Sequence, residues 1–186
     1  MTAVTAGTSA SAGTSLIAAI RADPAAEDFL AWPGDFSLDA YPHVEDVVLA
    51  SGEPLELLAK EGGGGTYFFC GPSELGEDRP VLFADSEGGA ALMALNLREL
   101  VELLITVPWW QDCRTFTAEE SAEAAEDFLE DDPDLPADRA AAARALGLTL
   151  PTELEALTRL RDTATGPGRA YVLLNAVEGC AYKPLI

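Results

Sequence analysis

The chain has 186 residues, close to the length of one domain and enough to bury roughly 70% of the surface that an unfolded chain exposes. It carries 32 acidic and 11 basic side chains, and its formal net charge of −21 argues against nucleic acids and anionic membranes as partners, because both would repel it. A basic protein is the partner that this charge favours, although a merely acidic and very soluble protein would have the same composition.

Cysteine usage and the N-terminal sequence both bear on localisation. Cys70, Cys113 and Cys180 are widely spaced and form no C-x-x-C pair, which is typical of a reducing compartment. The N-terminus lacks a basic segment before an apolar core, and no run approaches the ~20 apolar residues of a membrane span. We therefore expect a cytoplasmic protein with a flexible tail over residues 1–13 and a single domain over residues 14–186.

Capping signals open the predicted domain. Ser15 precedes the apolar residues of a short helix, and Asp23 followed by Pro24 supplies the N-cap and first turn of a second helix. Residues 44–49 then form an apolar run after two proline-containing breaks. This run is typical of a strand or of the edge of a sheet.

The centre of the predicted domain, residues 53–107, contains four short apolar or aromatic segments bounded by Gly, Pro, Asp and Ser. They cover residues 55–60, 66–70, 81–84 and 91–95. Their connections are too short for crossover helices, so the strands are expected to run antiparallel as a meander. Residues 62–65 are all glycine but lack the Lys-Ser/Thr of a P-loop and the third glycine of a dinucleotide motif, which favours a hairpin turn.

A helix is predicted directly after these strands, over residues 96–107, with Asn96 as its cap. Its apolar residues fall at helical spacing on one face, which requires an apolar surface, and the aromatic strands provide the nearest one. We therefore predict an α+β fold with a single antiparallel meander sheet of about four to six strands, packed by helices. The apolar stripe on this face of the predicted helix consists of Leu97, Leu100, Val101 and Leu104.

Two adjacent tryptophans, Trp109 and Trp110, follow this helix. Adjacent side chains cannot point the same way, so we expect one in the core and the other partly exposed. An exposed tryptophan would be a candidate anchor for a partner, but a capping or packing role for both is favoured.

The most acidic part of the chain begins at Thr117, whose spacing to Glu120 is that of a capping box. The aspartates at its end lack the ligand spacing and the sixth-position glycine of an EF-hand loop, and no His and Cys cluster suits zinc, so we expect no metal and no cofactor. The carboxylates belong either to a solvated face or to a surface that meets a basic partner. They are Glu119, Glu120, Glu123, Glu126, Asp127, Glu130, Asp131, Asp132 and Asp134.

Residues 117–164 are predicted to be the helical C-terminal part of the domain. After the acidic helix, Pro136 and Gly147 bound one helix and Pro151 opens another. The run over residues 169–177 returns to β character, either as a final strand of the sheet or as a tail packed along it.

Catalytic motifs are not found in the sequence. His43 is the only histidine, it lies beside no nucleophile motif, and no G-x-S-x-G stands elsewhere. A surface or hydrogen-bonded structural histidine is favoured over a catalytic one. We therefore expect a protein that is not an enzyme.

The order LELLAKEGGGGTYFF, RPVLFADSEGG and ALMALNLRELVELLI, within residues 53–107, resembles the SUKH superfamily. In that family a strand leads to a Gly-rich turn, a second strand, a Val-containing strand ending near an acidic D-x-E step, and a helix; the step here is Asp85-Ser86-Glu87. The first fifty residues lack the family's Leu-Pro step and Asn-Gly-Gly turn. The resemblance implies a non-catalytic α+β scaffold that binds proteins, since bacterial members resemble immunity proteins against toxins, often nucleases, and fungal members resemble regulators of cell-wall synthesis.

Two functions therefore stand as hypotheses. The favoured one is an immunity-type protein that neutralises a basic, nuclease-like toxin, with the acidic segment over residues 119–134 imitating nucleic acid. Asp85, Glu87, Trp109 and Trp110 join that segment as candidate partner-binding residues. The alternative is a small-ligand-binding or regulatory domain that uses a pocket near the two tryptophans.

Overall fold

The computed structural model of the protein describes residues 15–39 and 41–186. The tail predicted over residues 1–13 lies outside the described residues. Within the described part, helices pack on a mostly antiparallel sheet and further helices follow it, so the predicted α+β class is confirmed. No helix in this part combines the length and the apolar composition that crossing a membrane requires.

Side-chain caps fix the starts of most helices. The predicted caps Ser15, Asp23, Asn96 and Thr117 each accept a hydrogen bond from a backbone N–H in the first turn. Thr152 adds a reciprocal capping box with Glu155 that the sequence analysis did not identify. The α-helices of the described part are α1 (Leu16–Ala22), α2 (Pro24–Ala31), α3 (Leu97–Thr106), α4 (Ala118–Asp131), α5 (Leu135–Ala145) and α6 (Glu153–Thr165).

The strands form two sheets. They are β1 (Val47–Leu49), β2 (Leu55–Lys60), β3 (Thr66–Cys70), β4 (Val81–Ala84), β5 (Gly89–Ala94), β6 (Leu173–Asn175) and β7 (Lys183–Pro184). The main sheet has the order β2-β3-β4-β5-β7, in which the four predicted strands are consecutive antiparallel neighbours. The fifth strand, β7, pairs parallel with β5 and was not predicted. Strands β1 and β6 form a separate antiparallel pair.

The glycine turn between β2 and β3 is a hairpin turn, as predicted. Gly64 has φ +100°, a backbone conformation that side chains other than glycine rarely adopt. A Cβ on Gly65 would lie 2.5 Å from the ring of Phe83, so the backbone approaches the neighbouring strand too closely for any side chain. The run of glycines therefore serves the turn and its packing.

One face of the main sheet is covered by helices. Leu100 and Leu104 of α3 have no solvent exposure, and they belong to one apolar cluster with Tyr67, Phe83 and Met93 of the strands. Helices α3 and α6 both lie against β5. The stripe predicted for α3 therefore packs where the sequence placed it.

The opposite face is covered by the β1–β6 pair, hereafter the ribbon. Leu49 of β1 and Leu173 of β6 form a second apolar cluster with Phe68, Leu82 and Leu92 of the main sheet. Because both faces are covered, β3 and β4 are buried along their whole length, and this explains why their sequences read as continuous apolar runs.

The predicted final strand over residues 169–177 is corrected by this arrangement. Only Leu173–Asn175 is a strand, and it pairs with β1 instead of joining the main sheet. Leu173 is buried against the face of the main sheet. The sequence allowed either a final strand of the sheet or a tail packed along it, and the observed segment is closer to the second. The run over residues 44–49 contributes the partner strand β1 and is not an edge of the main sheet.

Candidate functional sites: an acidic face and a cleft at Trp110

Helix α4 holds most of the predicted partner-binding residues and turns them to solvent. Its buried positions are only Ser121 and Ala125, small residues that let the helix lie close to the core. Ser121 Oγ accepts a hydrogen bond from Trp109 Nε1 at 3.0 Å and donates one to Glu153 Oε2 at 2.7 Å. The exposed acidic side chains on the rest of the helix are Glu119, Glu123, Glu126, Asp127, Glu130 and Asp131.

Within the part of the chain that the structure describes, these carboxylates form no ion pair. The described residues contain four ion pairs, and none includes a carboxylate between residues 119 and 134. Like charges at this density repel one another and project a negative potential into solvent. The potential would attract a basic surface and slow the approach of an acidic one.

Glu120 differs from the other acidic residues of α4. Its Oε2 accepts hydrogen bonds from Thr115 N at 2.7 Å, Thr115 Oγ1 at 2.8 Å and Phe116 N at 3.1 Å. Desolvation opposes its ionisation, but these donors outweigh that effect and hold the pKa of Glu120 below its ordinary value. This side chain therefore fastens the loop before α4 and is not free for a partner.

The two predicted tryptophans are both buried, with exposures of 2% for Trp109 and 6% for Trp110. The expectation that one is partly exposed is therefore wrong, and the packing role for both is confirmed. Trp109 lies beneath α4, where its indole N–H meets Ser121. Trp110 packs edge-on against Phe83, with ring centroids 5.7 Å apart. The two side chains do point apart, but each meets a different part of the core.

The exposed tryptophan is Trp32 instead, with 69% of its surface accessible. Its ring stacks on Phe128 of α4 at 6.3 Å between centroids, and Phe128 in turn packs on Trp109 at 5.6 Å. The available sequence signal for the exposure of Trp32 was the Pro33-Gly34 step that follows it. This step is typical of a turn, it lies just after the end of α2, and turns lie at the surface.

Two small clefts flank Trp32, and aspartates line both. The first, of about 180 Å³, lies toward α4 and includes Phe128, Asp127 and Asp131. The second, of about 190 Å³, lies toward α2 and α5 and includes Asp28 and Asp138. Both share Pro33, Asp132 and Leu135. We call Trp32, these two clefts and the exposed carboxylates of α4 the Trp32 face.

A larger cleft of about 710 Å³ brings together Asp85, Glu87 and Trp110, three other predicted site residues. Asp85 closes the turn between β4 and β5, because its Oδ1 accepts hydrogen bonds from Glu87 N at 2.8 Å and Gly89 N at 2.7 Å. Glu61, Arg114 and Phe116 complete the polar and aromatic walls. We call this feature the Trp110 cleft.

Backbone strain occurs at the Trp110 cleft and beside it. Phe116 and Asp35 are the two non-glycine residues of the described chain with positive φ, at 58° and 52°. A positive φ is uncommon for residues other than glycine, and such strained residues cluster at active sites and ligand-binding sites. Phe116 lines the cleft, and Asp35 is hydrogen-bonded to Gly62 beside the cleft residue Glu61.

Cys113 also lines the Trp110 cleft but is unsuited to act as a nucleophile. Burial, together with the nearby carboxylates of Glu120 and Asp112, raises the pKa of its thiol to about 11. Only the thiolate is strongly nucleophilic, and it is scarce at neutral pH when the pKa is so high.

His43 belongs to a hydrogen-bonded chain that ties the ribbon side of the molecule together. Lys60 Nζ donates to Thr66 Oγ1 at 2.7 Å, and Thr66 Oγ1 lies 2.8 Å from His43 Nδ1. His43 Nε2 lies 3.2 Å from the Tyr182 hydroxyl, which donates to Glu45 Oε2 at 2.8 Å. Since the Lys60 ammonium can only donate, a Thr66 proton directed to Nδ1 and a His43 proton on Nε2 would run this chain in one direction, from Lys60 to Glu45.

No protein-family model, no curated protein and no solved structure matches the chain. Among the described residues, no three His, Cys, Asp or Glu side chains are grouped as a metal site would require. The support for the candidate sites is therefore the distances, burial and charges of the described residues.

Proposed function

We propose that this protein is a non-catalytic module that binds a basic protein through the Trp32 face, in the manner of an immunity-type protein that neutralises a nuclease-like toxin. The observation that carries the proposal is an exposed tryptophan surrounded by carboxylates that no basic side chain of the described chain neutralises. Tryptophan is enriched among protein-binding hot spots, and charged groups around an interface attract an oppositely charged partner. The resemblance of residues 53–107 to the SUKH superfamily supports the immunity-type assignment.

Charge gives this face a kinetic role. Basic clefts that hold nucleic-acid phosphates attract acidic surfaces, and opposite potentials raise the association rate at low salt. The attraction between exposed charges is screened beyond roughly 8 Å at physiological ionic strength, so the association rate is expected to fall steeply as salt is added. The main sheet then serves as the scaffold that carries α4 and Trp32.

Two variants that lose the same number of charges distinguish the position of the acidic residues from the total negative charge as the cause of binding. A bait with Glu123→Gln, Glu126→Gln and Glu130→Gln loses three charges from α4, and a control bait with Glu53→Gln, Glu74→Gln and Glu178→Gln loses three exposed charges elsewhere. Glu120 stays unchanged because it holds the loop before α4.

Affinity purification from native lysate with quantitative mass spectrometry, using the wild type and both baits, tests the proposal. A basic protein should be captured by the wild type and by the control bait but lost from the α4 bait. Its association with the purified wild type should slow with added salt, and the α4 variant should flatten that dependence. Equal capture by the two charge-reduced baits would contradict the proposal.

The Trp110 cleft favours a second candidate, a small cationic ligand. Its 710 Å³ lies within the ~300–1,000 Å³ typical of ligand pockets, and it combines three carboxylates with aromatic walls. Aliphatic diamines and polyamines are suitable probes. A rise in melting temperature with such an amine, lost on Glu87→Gln and retained in the α4 variant, would favour the cleft over the Trp32 face.

A further inference from the structure

The cleft on the α2 side of Trp32 has the features of a receptor for one side chain. It measures about 190 Å³, below the ~300 Å³ at which small-molecule pockets begin. Pro33 and Leu135 supply apolar wall, while Asp28, Asp132 and Asp138 supply negative charge. We call this cleft the Trp32 notch; its function as a receptor rests on the proposed function of the Trp32 face.

The aromatic row that ends at Trp32 already binds a guanidinium at its other end. Trp32 stacks on Phe128, Phe128 packs on Trp109, and the Arg139 guanidinium lies 5.1 Å from the centre of the Trp109 ring. The other cation–π contacts of the described residues involve Tyr41 and Phe69, so no cation of the described chain lies over Trp32. The outer end of the row is accessible and has the electron-rich face that attracts a cation.

The aspartates of the notch are available to a cation from outside. None of the three takes part in an ion pair of the described chain. Asp132 Oδ1 accepts a hydrogen bond from Asp134 N at 3.1 Å, which leaves its second oxygen without a described donor. Carboxylates beside an aromatic face form a site for a group that is both cationic and planar.

We propose that the Trp32 notch binds a single arginine side chain of the basic protein partner, stacked on the indole and hydrogen-bonded to the aspartates. Arginine fits better than lysine, because its guanidinium is planar, stacks on aromatic rings and can meet a carboxylate with two parallel hydrogen bonds. Its aliphatic stem would lie along Pro33 and Leu135. The exposed carboxylates of α4 then attract the partner, while the notch distinguishes arginine from other cations.

The test uses two blocked peptides in which five arginines, or five lysines, alternate with glycine. Binding to the full chain is measured by calorimetry at low salt and by tryptophan emission, of which the part that Trp32→Ala abolishes reports on the notch, since Trp109 and Trp110 are buried. The arginine peptide should bind about fivefold more tightly and shift the emission, a preference within the range that one cation–π contact provides.

Variants assign the preference to the notch. Trp32→Ala should reduce arginine-peptide affinity about fivefold, to the level of the lysine peptide, whose binding should change little. Asp28→Asn with Asp138→Asn should also lower the preference. Leu154→Ala, which truncates another exposed apolar side chain, should change neither affinity. Circular dichroism confirms that each variant is folded.

The remaining outcomes of the peptide experiment contradict either the notch alone or both the notch and the basic partner. Equal affinities for the two peptides in the wild type, or a preference that survives Trp32→Ala, would overturn the notch. If the peptides bind equally but with strong salt dependence that the α4 variant reduces, only the notch fails and the acidic face stands. If neither peptide binds at low salt, both the notch and the proposed basic partner are contradicted.

Discussion

The two faces of the main sheet are covered in different ways. The helical face is closed by α3, α6 and the other helices over one large apolar cluster. The opposite face is closed by the three-residue strands of the ribbon over a much smaller cluster, with polar contacts through His43 and Tyr182 at its margin. Apolar burial scales with area, so the helical face is expected to set global stability while the ribbon can open locally.

Leu100→Ala tests the helical face and should have the largest effect. Leu100 has no solvent exposure, and removing its side chain leaves a cavity between α3 and the sheet. We expect a loss of about 2–5 kcal/mol in the free energy of unfolding, measured by urea denaturation. Leu154→Ala, at an exposed position, is the control. A loss below about 0.5 kcal/mol would show that this face does not set stability.

Leu173→Ala tests the ribbon. The side chain is 1% exposed, but it is held by a thin layer that can partly collapse into the space, so we expect a loss of about 2 kcal/mol, the low end of the range for such substitutions. Native-state hydrogen exchange should speed up at β1 and β6 while β3 and β4 remain protected. Equal acceleration in all four strands would mean that the two faces unfold as one unit.

The polar margin of the ribbon should respond weakly to pH. Burial and the Lys60 ammonium lower the pKa of His43, outweighing the opposite effect of Glu45 and Asp85. The unfolded chain, with a pKa of about 6.5, therefore binds the proton more readily than the folded one. The contribution of His43 to stability is complete above this value and is lost as the pH falls through the lower, folded-state pKa.

The measurement compares urea stability of the wild type and His43→Gln at pH values from about 8 to 5. The wild type should lose more stability than the variant on the acidic side of about pH 6.5, since only the wild type has the histidine. Tyr182→Phe, which removes the hydroxyl between His43 and Glu45, should cost about 1 kcal/mol at neutral pH. Parallel pH profiles for wild type and His43→Gln would exclude His43 as the source.

Local sequence signals predicted the helical face well. Glycine turns and short connections were enough for β2 to β5, and caps such as Asn96 and Thr117 placed the helix starts. These features depend on residues close together in the chain, where turn chemistry and side-chain periodicity act directly. The aromatic strands were the nearest apolar surface to the stripe of α3, so the packing of α3 on the sheet could also be predicted.

The ribbon and the exposed tryptophan could not be predicted in the same way. Val47 pairs with Asn175 from the other end of the chain, and nothing local to either strand specifies that partner. The exposure of Trp32 and the burial of Trp110 depend on which residues distant in the chain pack against them, Phe128 on Trp32 and Phe83 on Trp110. The acidic face of α4 could therefore be predicted from local sequence, whereas the exposure of Trp32 and the burial of Trp109 and Trp110 could not.

The pairing of β1 with β6 also leads us to expect an order of events during folding. Strands β2 to β5 follow one another in the chain and can pair early, whereas the ribbon must close a loop that spans most of the molecule. Until it closes, Phe68, Leu82 and Leu92 present an apolar surface to other copies of the chain. Closure of the ribbon therefore removes from solvent an apolar surface that other copies of the chain could otherwise contact.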